Sequence, residues 1–132
     1  MQIHQSAEDY LETILMLNQR MGRVRSIDVV NELGYTKASV SIAMKKLREN
    51  GYIAVDGEGN LTLLEPGREI AERIYSRHRL LTHFFVQLGV DEAIAAEDAC
   101  KAEHILSEQT LEKIREYALL HDAEDSVKPQ GE

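Results

Sequence analysis

Two helical patterns in the first third of the sequence meet at a two-residue break, Gly34-Tyr35. Ser26 can cap a short helix over residues 27–33, which the glycine of the break ends. Thr36 can cap the next helix, whose apolar residues repeat at helical spacing up to Asn50. Two helices joined by so short a break predict a helix-turn-helix unit.

The elements on either side of this pair complete a larger motif. A first helix can begin at Ser6, with Asp9 three residues on, and its apolar repeat continues to about Arg20. After the third helix, the β-prone runs 52–55 and 61–64 flank a glycine-rich turn, which predicts a hairpin. The order helix, helix, turn, helix, hairpin is that of a winged helix-turn-helix.

The second half of the sequence is predicted to be helical. Pro66 can open a long fourth helix that runs to about Leu88. Two more helices are expected near 91–106 and 108–120, the last of them capped by Ser107. We therefore expect a mainly α protein with a winged-helix domain over residues 1–65, a helical domain over 66–120 and a flexible tail over 121–132.

Composition excludes several classes of protein. Of the 132 residues, 43% are apolar and 29% are charged, which suffices for a hydrophobic core and argues against disorder. No apolar run approaches the roughly 18 residues that cross a bilayer, and the first residues lack the features of a signal peptide. The one cysteine, Cys100, cannot form an intramolecular disulfide, so we expect a protein of the reducing cytoplasm.

Charge is distributed unevenly along the chain. The net charge is −8, yet residues 20–50 hold seven Lys or Arg against three Asp or Glu. The third helix has an apolar face (Val40, Ala43, Met44 and Leu47) and an opposite face that is basic and rich in hydroxyl groups. Such a helix fits the major groove of DNA, because small side chains in its first turn allow close approach. The candidate DNA-binding residues are Arg25, Ser26, Thr36, Lys37, Ala38, Ser39, Ser41, Lys45, Lys46 and Arg48.

Three sets of residues could ligate a divalent metal ion. Asp9 and Glu12 are three residues apart on the first helix and therefore share a face. His78 lies near the middle of the fourth helix. Cys100, Glu103 and His104 have the spacing i, i+3, i+4, which on a helix directs a thiol, a carboxylate and an imidazole to one side. Each set alone also has an ordinary structural explanation, such as an acid pair that serves the helix dipole.

Five segments together carry a resemblance to a known family: EDYLETI at 8–14, KKLRENG at 45–51, RHRL at 77–80, LGV at 88–90 and DACKAEH at 98–104. They resemble the diphtheria-toxin-repressor (DtxR) family of metal-dependent bacterial repressors, which includes the manganese-responsive MntR branch. The resemblance implies a winged helix joined through the fourth helix to a helical lobe for dimerisation and metal binding. It also implies that the metal ligands are Asp9, Glu12, His78, Cys100, Glu103 and His104.

The ligand set combines features of two branches of that family. The acids Asp9 and Glu12 are typical of the manganese-responsive branch, whereas Cys100 stands where that branch usually has Glu and the iron-responsive branch has Cys. Oxygen ligands suit Mn²⁺, and a thiolate favours softer ions. We therefore expect Mn²⁺ or Fe²⁺ as the cofactor, one or two ions per chain, with Zn²⁺, Co²⁺ or Cd²⁺ able to substitute.

The resemblance implies a metal-activated transcriptional repressor that binds double-stranded operator DNA as a homodimer and controls manganese or iron homeostasis genes. No catalytic residue, organic cofactor or membrane partner is expected. Two alternatives stay open: a metal-independent winged-helix regulator that senses an organic ligand or oxidation of Cys100, and, less favoured, a metallo-hydrolase. The apolar residues of the last three helices favour a dimer, because a lobe of about 50 residues cannot readily hide them alone.

Overall fold

Six helices and one two-stranded antiparallel hairpin make up residues 5–127, the part of the chain that the structure, a computed structural model, describes; side chains are described for residues 5–123. The elements are α1 (Gln5–Met21), α2 (Ser26–Leu33), α3 (Lys37–Glu49), β1 (Ile53–Val55), β2 (Leu61–Leu63), α4 (Glu65–Gln87), α5 (Glu92–Ala102) and α6 (Glu108–Val127). They form two compact units, Met1–Ile74 and Tyr75–Glu132, and the division falls within α4. The predicted mainly α fold is confirmed, and no helix of the described part is long and apolar enough to cross a membrane.

The core of the first unit lies where α1, α2, α3 and the hairpin bring their apolar faces together. Leu11 of α1 and Val29 of α2 are completely buried. On α3 the buried residues are Val40, Met44 and Leu47, so the apolar face predicted for this helix is confirmed. Burying each of these larger side chains contributes about 1.5–3 kcal/mol, which is what holds α3 in place.

Local chemistry sets the turn between α2 and α3. Gly34 ends α2 in a left-handed backbone conformation with a φ of 73°, and its N–H donates to the carbonyl of Val30 at 2.8 Å. Thr36 caps α3, because its Oγ1 accepts a hydrogen bond from the N–H of Ser39 at 3.1 Å. Both signals are visible in the sequence, and the predicted break is therefore confirmed.

Two predicted helix caps are wrong. Ser26 is the first residue of α2 rather than its cap, and the cap position is Arg25. The backbone N–H of Arg25 donates to Oδ2 of Asp28 at 2.9 Å, so an acid three residues on satisfies the free N–H that a cap leaves. Ser6 lies inside α1, which already includes Gln5.

The hairpin after α3 is the predicted wing, and an aspartate organises its turn. Strands β1 and β2 pair with Ile53 opposite Leu63. The carboxylate of Asp56 accepts hydrogen bonds from the backbone N–H groups of Asn60 and Glu58, both at 2.9 Å, and from Nδ2 of Asn60 at 3.0 Å. These hydrogen bonds, those from Asn60 above all, hold the pKa of Asp56 below its ordinary value.

The second unit packs α5 and α6 against the C-terminal part of α4. Its buried core residues are Leu81 of α4, Ala99 of α5 and Leu111 of α6, surrounded by the partly buried Leu80, Phe85, Ala102, Leu106 and Ile114. Polar contacts continue the α4–α6 packing toward the C-terminus. Nε2 of His83 lies 2.8 Å from Oδ1 of Asp122, and Nε2 of Gln87 donates to the carbonyl of Ala118 at 3.2 Å.

The predicted ends of α5 and α6 are wrong. Helix α5 ends at Ala102 rather than near 106, and a tight turn with a hydrogen bond from the N–H of Ile105 to the carbonyl of Ala102 follows it. Helix α6 runs to Val127, beyond the predicted end at 120, because Asp122 still has a partner on α4. The predicted tail therefore begins inside a helix, and its last residues, 128–132, lie outside the described part.

Candidate metal centre and nucleic-acid interface

Three of the predicted metal ligands come together in the second unit. One ligand atom each from His78, Cys100 and Glu103 lies within 4.8 Å of the other two. His78 reaches this cluster from α4, Cys100 from the last turn of α5, and Glu103 from the residue that follows that helix. An imidazole, a thiol and a carboxylate at this spacing match the donor atoms that divalent transition metals take in proteins.

The carboxylate of Glu103 is the buried centre of this cluster. Its side chain is 0% exposed, and its Oε2 lies 2.9 Å from Nδ1 of His78. The side chain of His104 is 2% exposed, with Nε2 at 3.4 Å from Oε1 of Glu103. A carboxylate buried this deeply needs hydrogen-bond or charge partners, and the ring nitrogens of the two neighbouring imidazoles can bind the same cation as the carboxylate. The residues present therefore fit a divalent metal ion.

The helical spacing predicted for Cys100, Glu103 and His104 holds only in part. Glu103 follows α5 as its C-cap and keeps helical angles, with φ of −59° and ψ of −23°, so Cys100 and Glu103 still point to one side. His104 lies in the turn after the helix. Its approach to Glu103 comes from that turn and not from the i, i+4 geometry of a helix.

Arg77 supports this cluster, although it is not among the site residues predicted from the sequence. Its Nη1 donates to the backbone carbonyl of Glu103 at 3.1 Å, and its Nη2 pairs with the carboxylate of Glu108. The guanidinium thus ties the turn after α5 to the start of α6. The one sequence signal for this residue is its position next to His78 in the segment RHRL.

Asp9 and Glu12, the other two predicted ligands, lie on α1 in the first unit. They are three residues apart and share a face of the helix, as predicted. Asp9 is half-buried. Glu12 is only 5% exposed, and its sequence neighbours Leu11 and Thr13 are buried as well. Charged residues are seldom buried to this degree unless they are paired.

The predicted DNA-binding residues form an exposed surface centred on α3. Lys37, Lys45, Lys46 and Arg48 are all exposed, and none of them has an ion pair with another residue of the described part. Thr36, Ala38, Ser39 and Ser41 are exposed on the same helix and at its cap. These groups are open to phosphates and base edges.

Two of the candidate DNA contacts lie outside α3 and its cap. Arg25 is exposed, its backbone bridges to Asn60, and its guanidinium lies beside Gly59 of the wing turn. Ser26 is half-buried at the start of α2. Arg20 and Arg23 of the same basic stretch are paired with Glu32 and Glu58. The free positive charge is therefore concentrated on α3 and beside the wing.

Both halves of the chain match described families and curated relatives. Residues 2–61 match the family "Iron dependent repressor, N-terminal DNA binding domain", and residues 64–124 match "Iron dependent repressor, metal binding and dimerisation domain". The HTH-type transcriptional regulator MntR of Bacillus subtilis is 32% identical over 123 residues, which are 93% of this chain and 87% of that protein. The chain belongs to the iron-dependent repressor family.

Further relatives agree with this assignment. An uncharacterized HTH-type transcriptional regulator of Methanocaldococcus jannaschii is 36% identical to the repressor over 113 residues, 84% of this chain and 90% of that protein. A solved structure described as a manganese-dependent transcriptional repressor in complex with manganese superposes with a TM-score of 0.78 at 28% identity and covers 85% of the repressor. The manganese regulator SloR, with a TM-score of 0.74 at 24% identity, shares the fold. The repressor spans about half the length of these two solved chains, 52% and 54%.

The family assignment decides between the functions that the sequence leaves open. The repressor is a metal-dependent, DNA-binding transcriptional regulator and not an enzyme. The expected DtxR and MntR family is confirmed, and the two alternatives, a metal-independent regulator and a metallo-hydrolase, are set aside. The predicted domain limits stay predictions.

Proposed function

We propose that the repressor is activated by Mn²⁺ or Fe²⁺, one or two ions per chain, held by Asp9, Glu12, His78, Cys100, Glu103 and His104. The observation that carries this proposal is the cluster of His78, Cys100 and Glu103, whose ligand atoms lie within 4.8 Å of one another. We infer that Asp9 and Glu12 add their carboxylates to the ligand set. This inference rests on the sequence resemblance and on the chemistry of the donor atoms.

The donor set is compatible with either of these two ions. Three carboxylates and two imidazoles suit Mn²⁺, whereas the thiol of Cys100 increases the affinity for softer ions such as Fe²⁺, Co²⁺, Zn²⁺ or Cd²⁺. Cys100 is exposed, so a metal ion can reach its sulfur from solvent. Cys100 is therefore the residue that decides ion preference in this set.

Metal binding and DNA binding are coupled if both units contribute ligands. A bound cation supplies positive charge that offsets the repulsion among the carboxylates of Asp9, Glu12 and Glu103. Since α1 belongs to the DNA-binding unit, an arrangement favoured by these ligands also favours one arrangement of α3 on DNA. Coupling of this kind is typically worth about 1–3 kcal/mol and acts in both directions.

The DNA ligand is double-stranded operator DNA bound by a homodimer in the cytoplasm. Lys37, Lys45, Lys46, Arg48 and Arg25 contact phosphates, while the small and hydroxyl-bearing residues of the first turn of α3 approach the bases. A dimer presents two copies of α3 to half-sites about one helical turn apart. Repression at high metal concentration then keeps metal-uptake genes silent when the ion is plentiful.

Fluorescence anisotropy at fixed salt tests this proposal. Labelled duplexes enriched by the protein from a random-sequence pool are titrated with chelator present, and then with Mn²⁺, Fe²⁺ and Zn²⁺ in turn. Salt is held constant because phosphate contacts make the affinity strongly salt-dependent. We expect the affinity to rise tenfold or more with one of the ions, in line with the coupling above. Tight binding that ignores chelator and every ion contradicts the proposal.

Three variants separate the metal ligands from other acids. Glu12→Gln and Glu103→Gln each remove one proposed ligand charge and should abolish the response to metal while the duplex is still bound weakly. Glu97→Gln is the matched control on α5, because Glu97 is exposed and lies close to Lys101 on the same helix (3.8 Å). An unchanged metal response in Glu12→Gln and Glu103→Gln contradicts the assignment of these ligands.

A further inference from the structure

One large apolar side chain on α3 faces away from the core. Ile42 is 58% exposed, whereas Val40, Met44 and Leu47 of the same helix are buried. Successive residues of a helix are about 100° apart around its axis, so Ile42 lies roughly opposite the centre of the buried face. The apolar face predicted for α3 does not include Ile42, and the fold confirms that more than half of its side chain stays exposed.

The neighbours of Ile42 on this outer face are small or positively charged. Ala38 lies one turn before it, and Lys45 and Lys46 lie three and four residues after it, all of them exposed. The outward face of α3 thus has an apolar centre bordered by cations. Because Val40, Met44 and Leu47 anchor the opposite face, Ile42 is held in a defined position.

A single exposed isoleucine is common on protein surfaces. What distinguishes Ile42 is its position on the outer face of α3. Isoleucine is a poorer helix former than alanine or lysine, so helix propensity does not account for it. Ile42 also borders a cavity of about 390 Å³ lined by Tyr10 and Leu47, yet most of its surface stays exposed. The exposed part of the Ile42 side chain can therefore contact a molecule that binds to α3.

We propose that Ile42 is a specificity-determining residue that reads thymine through its 5-methyl group, the apolar group that a base pair presents in the major groove. The inference rests on the proposed binding of α3 to operator DNA. Ala38 extends the same apolar strip by one turn and admits a second methyl group at close range. Lys45 and Lys46 are placed at its border to contact the phosphates on either side.

Selection of DNA sites tests this inference first. The wild-type protein with Mn²⁺, the variant Ile42→Ala and the conservative variant Ile42→Val each enrich duplexes from a random-sequence pool. We expect a thymine preference at one position of each half-site in the wild type, its retention in Ile42→Val and its loss in Ile42→Ala. The alanine variant keeps a good helix former at an exposed site, and so its fold should be intact.

Removing one methyl group from the DNA makes the test specific. Deoxyuridine in place of the preferred thymine should weaken binding of the wild type about fourfold, the equivalent of one buried methyl group. The same replacement should have no effect on Ile42→Ala, and deoxyuridine at positions without a thymine preference serves as the control. Thymine preference or deoxyuridine sensitivity that is absent in the wild type, or that persists in Ile42→Ala, overturns the inference. A wild type that enriches no sequence with or without metal instead contradicts the proposed function.

Discussion

The buried carboxylate and the backbone carbonyl of Glu103 both contact residues of another helix. A buried carboxylate costs several kcal/mol unless it is paired and hydrogen-bonded. His78 of α4 supplies one partner at 2.9 Å, and Arg77 holds the backbone of Glu103 through its carbonyl at 3.1 Å. Two adjacent residues of another helix therefore help to set the position of this proposed ligand.

We predict that Arg77→Met weakens metal binding although it removes no ligand. Without the guanidinium, the carbonyl of Glu103 and the carboxylate of Glu108 lose a shared partner, and the turn that carries Glu103 is less well ordered. Loss of such outer partners typically lowers metal affinity about 10–100-fold. Isothermal titration of the protein with Mn²⁺ alone measures the effect.

Arg79→Met is the matched control for this prediction. Arg79 is exposed on the same helix, and its guanidinium lies 5.9 Å from the ring centre of Tyr75. This variant should bind Mn²⁺ like the wild type. Equal affinity in Arg77→Met and Arg79→Met means that Arg77 does not position the ligand.

At the scale of elements, helix ends that depend on local signals are predicted better than helix ends that depend on packing. Glycine at the end of α2 and threonine at the start of α3 act over a few residues, so the sequence predicts the turn between these helices correctly. The ends of α5 and α6 depend on contacts between elements, and both predicted ends are wrong. Asp122, for example, belongs to α6 and meets His83 of α4.

Close packing also explains a glycine in the first turn of α4. A Cβ on Gly67 would collide with the backbone carbonyl oxygen of Tyr52, which cannot move without disturbing the segment before β1. We predict that Gly67→Ala destabilises the protein by about 1–3 kcal/mol, the usual cost of overpacking. The midpoint of urea unfolding, followed by circular dichroism, measures this loss.

Gly57→Ala provides the comparison for Gly67→Ala. A Cβ at Gly57, in the wing turn, would meet no atom within 4 Å. Its unfolding midpoint should equal or slightly exceed the wild-type value, because alanine lowers the conformational entropy of the unfolded chain. Equal midpoints for Gly67→Ala and the wild type contradict the packing argument.

At the scale of the molecule, the two units differ in surface chemistry. In the first unit the exposed cations of α3 form the proposed DNA-binding surface. In the second unit, the apolar residues of the last three helices, which the sequence suggests as a dimer surface, include both buried and exposed members. Leu111 is buried in the core, whereas Leu119 and Leu120 are 61% and 65% exposed on α6. Exposed leucines in succession favour a protein–protein contact over a free surface.

We predict that Leu120→Glu shifts the repressor from the proposed dimer to a monomer. A charge placed in an apolar contact must be desolvated without a partner, which disfavours association. Sedimentation equilibrium with and without Mn²⁺ gives the oligomeric state. Gln109→Glu adds the same charge at another exposed position of α6 and should leave the state unchanged. If Leu120→Glu associates like the wild type, the dimer surface lies elsewhere.

The winged helix and the cationic face of α3 can be predicted from the sequence, whereas the six metal ligands stay a prediction that the family resemblance implies. The reason is physical: caps, turns and helical faces depend on residues a few positions apart. The partners of Glu103 and the close approach at Gly67 are decided by tertiary structure. Arg77 and Glu103 are 26 residues apart, and only the packing of α4 with α5 and α6 makes them neighbours.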